Sequence, residues 1–171
     1  MFAILTALRS QEAREARWSW LNADMTQITI PAEYMKAGEE HTVPLATQVT
    51  AMLKSLPRSG ELIFPSQKEY GKHVPMLDKA PRHVIKRIPG GEGLTLHGFR
   101  SAFRQYLGEK TGTARDIAEY CLAHAIGENL VERAYLDGAL FLDQRRVAMQ
   151  AWADYATGTV PANVLPFKRV A

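Results

Sequence analysis

Thr95-Leu96-His97-Gly98-Phe99-Arg100-Ser101-Ala102-Phe103-Arg104-Gln105-Tyr106-Leu107 is the stretch on which the fold turns. Threonine is a preferred helix cap, and Phe99, Phe103 and Tyr106 or Leu107 recur at the spacing of one buried helical stripe. His97 and Arg100, at i and i+3, share another face, so one helix carries both an apolar side and an imidazole-guanidinium pair.

Upstream, Pro89-Gly90-Gly91-Glu92-Gly93 reads as a flexible connector; its glycines match neither the dinucleotide fingerprint nor the GxxxxGK[ST] phosphate loop. Asp78 is expected to cap a helix carrying Val84, Ile85 and Ile88, with Pro81 tolerated in the first turn. Leu62-Ile63-Phe64-Pro65 is a short apolar segment, followed by an expected loop from Ser66 to Val74. Leu45, Val49, Met52 or Leu53, and Leu56 keep helical spacing until Pro57 and Gly60 end it.

Ile28 and Ile30 alternate along one face, and Thr42-Val43-Pro44-Leu45 follows Lys36-Ala37-Gly38-Glu39-Glu40, which predicts a β-hairpin with Lys36 near its tip. Ser10 is expected to cap a helix running through Trp18, with Arg9 at its start and Glu12 and Glu15 in the early turns, where the dipole favours carboxylates. Met1-Phe2-Ala3-Ile4-Leu5 reads as the second half of a core helix, so the chain is expected to be shortened at its N-terminus.

Downstream, helices are predicted from Ala114 to Leu122, around Leu130 to Leu136, and from Leu142 to about Tyr155. The pattern is α+β, mostly helical with one small hairpin, and has no internal repeat. One domain over residues 1–158 is expected, with 159–171 as an extended tail docking on its own domain or on a neighbour.

At 171 residues and 46% hydrophobic content, the chain can bury one good core. A net charge of +3 is compatible with a polyanionic partner and too weak to demand one. The single cysteine, Cys121, excludes an internal disulfide and any multi-cysteine zinc site, and fits a reducing cytoplasm. No stretch approaches the roughly 20 apolar residues of a membrane span, and the start lacks the features of a signal peptide.

The chemistry gathers in order along the chain: His97 and Arg100, then Leu122-Ala123-His124, then Glu132-Arg133-Ala134-Tyr135. Two imidazoles, a guanidinium and a phenol are the parts of a metal-free phosphoryl-transfer site. Singly, each has an ordinary explanation. Tyr135 beside Val131 and Ala134 reads as a half-buried core aromatic, Arg9 and Arg100 as surface groups, and Lys36 as a turn lysine. Cys121 lies one turn before His124, yet nothing completes a ligand set, so neither a metal nor a cofactor is expected. His41, His73 and His83 read as structural or surface residues, with His41 supporting the hairpin. The charges from Lys79 to Arg87 read as a solvated helix face, or, by the family resemblance described next, as one that approaches a DNA backbone.

Taken together, the residues resemble the catalytic domain of tyrosine recombinases, specifically the integrases of prophages and genomic islands. The resembling segments are Thr6-Ala7-Leu8-Arg9-Ser10-Gln11-Glu12 with Arg17-Trp18, Lys36 through His41-Thr42-Val43-Pro44-Leu45, Leu62-Ile63-Phe64-Pro65, Leu96 through Phe103, Leu122-Ala123-His124, Ala134-Tyr135 and Met149 through Tyr155. Each is weak alone; their order and spacing are specific. The resemblance implies the fold of the DNA breaking-rejoining enzymes and a catalytic set of Arg9, Lys36, His97, Arg100, His124 and Tyr135, with Glu12 in support.

By that resemblance Tyr135 is the nucleophile, the two arginines grip the phosphate, Lys36 protonates the leaving oxygen, His97 takes the tyrosyl proton or positions the phosphate, and His124 donates to a phosphate oxygen. The implied partners are double-stranded DNA at attachment sites, three further copies in a homo-tetramer, and DNA-bending accessory proteins. Membrane association is not implied, and the implied location is the bacterial cytoplasm, at the nucleoid. Full-length members also carry arm-binding and core-binding domains, which are expected to be missing from this shortened chain. Two other readings stay open: a catalytically idle DNA-binding remnant of a degenerate prophage and a metal-dependent nuclease using the histidines; a type IB topoisomerase shares the chemistry, but the histidine and tail pattern looks more like an integrase.

Overall fold

In the computed structural model, which describes residues 1–66, 74–124 and 141–159, the chain is built around two helices that cross at aromatic side chains. Phe103 of α5 (Leu96–Tyr106) meets Trp152 of α7 (Leu142–Thr157) edge to face, with ring centroids 5.6 Å apart. Phe103 is fully buried, which contributes roughly 1.5–3 kcal/mol, and the edge-to-face pairing adds about 1 kcal/mol. On α7 the buried positions are Arg145, Ala148, Met149, Trp152 and Ala153. This is the i, i+3, i+4, i+7, i+8 stripe of a helix with one side against a core. Tyr106 stacks on Tyr155 at 4.5 Å and donates its hydroxyl to the Ala151 carbonyl at 3.1 Å, which closes the α5–α7 seam.

The predicted Thr95 cap is present: its Oγ1 accepts the Gly98 N–H at 2.9 Å. Beyond α5 the chain widens into one π-helical turn, Leu107–Thr111, and Gly112 at φ 65° redirects it into α6 (Arg115–Cys121). The N-terminal turn α1 (Phe2–Leu5) docks on α7, where the Trp152 indole donates to the Ile4 carbonyl at 2.8 Å.

The predicted hairpin is formed by β1 (Gln27–Ile30) and β2 (His41–Pro44), antiparallel, with Ile28 opposite Val43 and Ile30 opposite His41. Because side chains alternate, Ile28, Ile30, Val43 and His41 share the buried face, while Thr29 and Thr42 bond to each other through their hydroxyls at 3.0 Å. Helix α3 (Thr47–Ser55) follows with Val49 and Leu53 inward, as the periodicity predicts. Its first N–H, on Thr47, is taken by Gln150 Oε1 of α7 at 3.0 Å, an acceptor supplied from another helix. The architecture is therefore the expected α+β one, mostly helical with a small two-stranded antiparallel sheet.

Two helix boundaries differ from the sequence expectation. Helix α2 spans Ser10–Arg14 and stops there, and its N-cap is Arg9, not Ser10. Tertiary pairing ends it early: the Ile63 N–H donates to the Ala16 carbonyl at 2.9 Å and the Trp18 N–H to Glu61 at 3.0 Å, which extends the chain past the Arg17–Leu62 bridge. Helix α4 (Ala80–Ile85) is capped by Lys79, and Pro81 lies in its first turn as expected. Asp78 does not cap it; its carboxylate lies 3.6 Å from Arg14. The expected helix around Leu130 to Leu136, most of the expected loop from Ser66 to Val74, and the tail beyond residue 159 lie outside the described residues. Among the described residues, no helix is long and apolar enough to cross a membrane.

Candidate active site

Arg9 follows a backbone turn in which Ala7 takes a left-handed conformation, φ 51°, with Ala7 and Leu8 both buried. The turn delivers Arg9 to the N-cap of α2, and Glu12, 3% exposed at the N3 position, reaches back to it. One Glu12 oxygen accepts the Arg9 backbone N–H at 2.8 Å and the other the guanidinium at 2.8 Å. Glu12 thus satisfies an orphan helix-start donor and aims the Arg9 side chain in one arrangement.

Arg100 emerges from the middle of α5 and is 8% exposed. Its Nη1 donates to the Ala7 carbonyl and its Nη2 to the Leu122 carbonyl, the latter at 2.9 Å. Arg9 Nη2 stands 3.5 Å from the next carbonyl along, that of Ala123. Burial, reinforced by the nearby Arg9 charge and opposed by Glu12, lowers the Arg100 pKa to about 10, so the guanidinium is still charged at neutral pH. Two cations are held side by side by backbone oxygens, and an anion between them would relieve their mutual repulsion.

The carbonyls come from the end of α6. There the Ala123 N–H bonds to Tyr120 at 3.2 Å and the His124 N–H to Glu119 at 3.1 Å, with Ala123 left-handed at φ 49°. This is the Schellman pattern, with alanine where glycine is usual. It folds His124 back so that Nδ1 lies 2.6 Å from Glu119, whose other oxygen accepts Arg104 Nε at 2.7 Å. Burial pushes the Glu119 pKa up, but the hydrogen bonds from Arg104 and His124 outweigh it and hold the group below its ordinary value. An ionised carboxylate only accepts, so His124 carries a proton on Nδ1 and turns Nε2 outward.

Lys36 is exposed on the 31–40 connection of the hairpin, beyond the short 3-10 turn Ala32–Tyr34. It shares a concavity of about 320 Å³ with Arg9, Gln11, Glu12, Glu33, Tyr34 and Met35. His97 is exposed in the first turn of α5, one turn from Arg100, and no side-chain bond ties it to the other groups among the described residues. Tyr135 lies outside the described residues. The structure therefore brings Arg9, Glu12, Arg100 and the turn before His124 into one bonded network and sets Lys36 beside Arg9.

His41, expected to support the hairpin, is 8% exposed and lies against the Cys121 backbone. Burial and then the Arg145 charge lower its pKa to about 3, with Arg100 and Arg9 adding to this and the Cys121 carbonyl opposing it, so it is a neutral donor at physiological pH. Burial raises the Cys121 thiol to about 11, which leaves it an unreactive core group. Glu119 and Arg145 were not singled out by the sequence. Glu119 stands five residues before His124, a separation that brings side chains together only through the left-handed turn. Arg145 did carry a signal, being a cation on an otherwise apolar helical stripe. Among the described residues, no group of three or more His, Cys, Asp or Glu could hold a metal ion.

The profile described as "Phage integrase family" matches residues 1–137. Prophage integrase IntA of Escherichia coli K12 is 39% identical over 157 residues, covering 90% of this chain and 37% of that protein. Prophage integrase IntZ of the same strain is 35% identical over 168 residues, covering 96% of this chain and 40% of that protein. The integrase of Shigella phage Sf6 is 37% identical over 155 residues, covering 88% and 39%. This chain thus spans about two-fifths of the length of these curated relatives, and no solved structure matches it significantly. With four-fifths of the chain inside the profile match, the chain belongs to the phage integrase family.

Proposed function

We propose that the chain is the catalytic domain of a site-specific recombinase that cuts and rejoins DNA through a covalent tyrosyl intermediate. The observation that carries this reading is the placement of Arg9 and Arg100 on successive carbonyls at the end of α6, immediately before His124, with Lys36 lining the same concavity as Arg9. In this reading the two guanidiniums hold the non-bridging oxygens of the scissile phosphate and neutralise the charge that grows on them, a task that elsewhere falls to metal ions. In its doubly protonated form, with Nδ1–H held by Glu119, His124 donates from Nε2 to a phosphate oxygen.

Tyr135 attacks the phosphorus in line and passes its proton to His97. The bond from phosphorus to the 5′-oxygen breaks, and Lys36 protonates that oxygen as it leaves. The products are a 3′-phosphotyrosyl link and a free 5′-hydroxyl. Attack by another strand's 5′-hydroxyl reverses the step, so neither ATP nor a metal is consumed. We further propose that the reaction runs in a homo-tetramer on two attachment-site duplexes, with DNA-bending accessory proteins, and that residues 159–171 dock on their own or a neighbouring subunit.

The test is to incubate the chain with a random-sequence pool of nicked duplexes in chelator and recover DNA that stays bound through denaturation. Adducts are expected from the wild type and not from Tyr135→Phe. Reversible, salt-sensitive binding without adduct would identify an idle DNA-binding remnant instead, and cleavage abolished by chelator would identify a metal-dependent nuclease.

A further inference from the structure

The hairpin that carries Lys36 is pinned at two consecutive residues. Arg145, 2% exposed on α7, donates from Nη2 to the Thr42 carbonyl, and its guanidinium also lies against the Cys121 thiol. The next residue back on β2, His41, is buried against the Cys121 backbone at the end of α6. On the opposite side, Thr42 bonds Thr29 and His41 pairs with Ile30, so the second stem of the loop is held against β1, α6 and α7 together. Lys36 stands five residues from His41 and is exposed, so its position is inherited from that stem.

An apolar side chain would serve packing at position 145 as well as an arginine does, because its helical neighbours Ala148, Met149 and Trp152 are all buried. What the guanidinium adds is direction: a charged donor fixed on one strand carbonyl, in surroundings where an imperfect bond to a buried charge is costly.

We propose that Arg145, with His41, is a positioning residue for the proton donor: the two form a strut that fixes the Lys36 loop relative to the arginine pair. The proposal rests on the reading of Lys36 as the group that protonates the leaving oxygen.

The test measures adduct formation on a duplex recovered from the selection above, made with either oxygen or sulfur at the bridging 5′ position of the scissile phosphate. When the phosphorus–sulfur bond breaks, the sulfur leaves as a thiolate and needs no proton, so a fault confined to the proton donor vanishes on that substrate. Arg145→Met is expected to react about 100-fold more slowly than wild type on oxygen and within about threefold of it on sulfur, with Arg145→Lys intermediate on oxygen. An equal loss on both substrates, or no loss on either, overturns the proposal.

Lys36→Ala serves as the control. If sulfur fails to restore it, the reading of Lys36 as the acid fails, and amide exchange tests the strut by itself. Exchange across residues 31–40 is expected to quicken about tenfold in Arg145→Met and Arg145→Lys while α5 stays unchanged. Unaltered exchange in the loop overturns the strut whatever the activity shows.

Discussion

The Arg9 guanidinium and the Glu12 carboxylate meet at 2.8 Å, and the same carboxylate accepts the Arg9 backbone N–H, so one buried acid fixes both the helix start and the direction of the arginine. In Glu12→Gln one oxygen still accepts from the backbone, but the amide NH2 then faces the guanidinium, donor against donor. The variant is expected to lose about 2 kcal/mol in denaturant unfolding. Its adduct formation is expected to fall about 100-fold through the displaced arginine. Glu15→Gln, in the same helix region, is the reference and should stay within about 0.5 kcal/mol of wild type.

Glu119 holds Arg104 with one oxygen and His124 with the other. Glu119→Gln keeps an acceptor for one of them and loses the charge that turns the imidazole. Adduct formation is expected to slow by about tenfold to 100-fold, the usual cost of removing the partner that orients a working histidine. A variant as fast as wild type would show that His124 is not held for catalysis.

His41 links the structure to pH. Its folded pKa of about 3 lies below the ordinary 6.5, so the unfolded chain binds the extra proton across that window. The stability contributed by neutral His41 is complete above pH 6.5 and is lost as pH falls toward 3, with a slope approaching about 1.4 kcal/mol per pH unit. His41→Gln retains a donor for the Cys121 carbonyl and has nothing to titrate. Unfolding free energies measured from pH 7 to pH 4 should therefore fall less steeply in the variant; parallel curves would contradict the assignment.

Ala7 and Ala123 both occupy left-handed backbone, at φ 51° and φ 49°, where a side chain costs about 1–2 kcal/mol. Ala123 is only half-buried, so Ala123→Gly should raise stability by up to about 1 kcal/mol. Ala7 is 2% exposed, and Ala7→Gly also removes a buried methyl worth about 0.8 kcal/mol, so it should come out near neutral. Thermal unfolding of the pair checks both signs.

The sequence was readable where one element carried its own pattern. The Phe99, Phe103 and Leu107 stripe, the alternating Ile28 and Ile30, and the Thr95 cap are local signals, and each element formed where it was expected. It was unreadable where a distant group decided the outcome. Helix α2 was cut at Arg14 by pairing with residues 61–63, and α3 is capped by Gln150, 103 residues away. At the site, the six residues named from the resemblance include the Arg9 and Arg100 pair, which the fold joins, because those residue types follow from the chemistry. The Ala7, Leu122 and Ala123 carbonyls that hold the pair, and the Glu119 carboxylate that turns His124, are brought in by left-handed turns that no residue spacing reveals.

Arg100 reaches Ala7 across 93 residues, Arg9 reaches Ala123 across 114, and Trp152 bonds Ile4 across 148. On the ribosome, the first arginine is therefore made long before the carbonyls that hold it. The pairing of Arg9 with Arg100 therefore waits until α6 has been made, and the seat of α1 on α7 waits longer still.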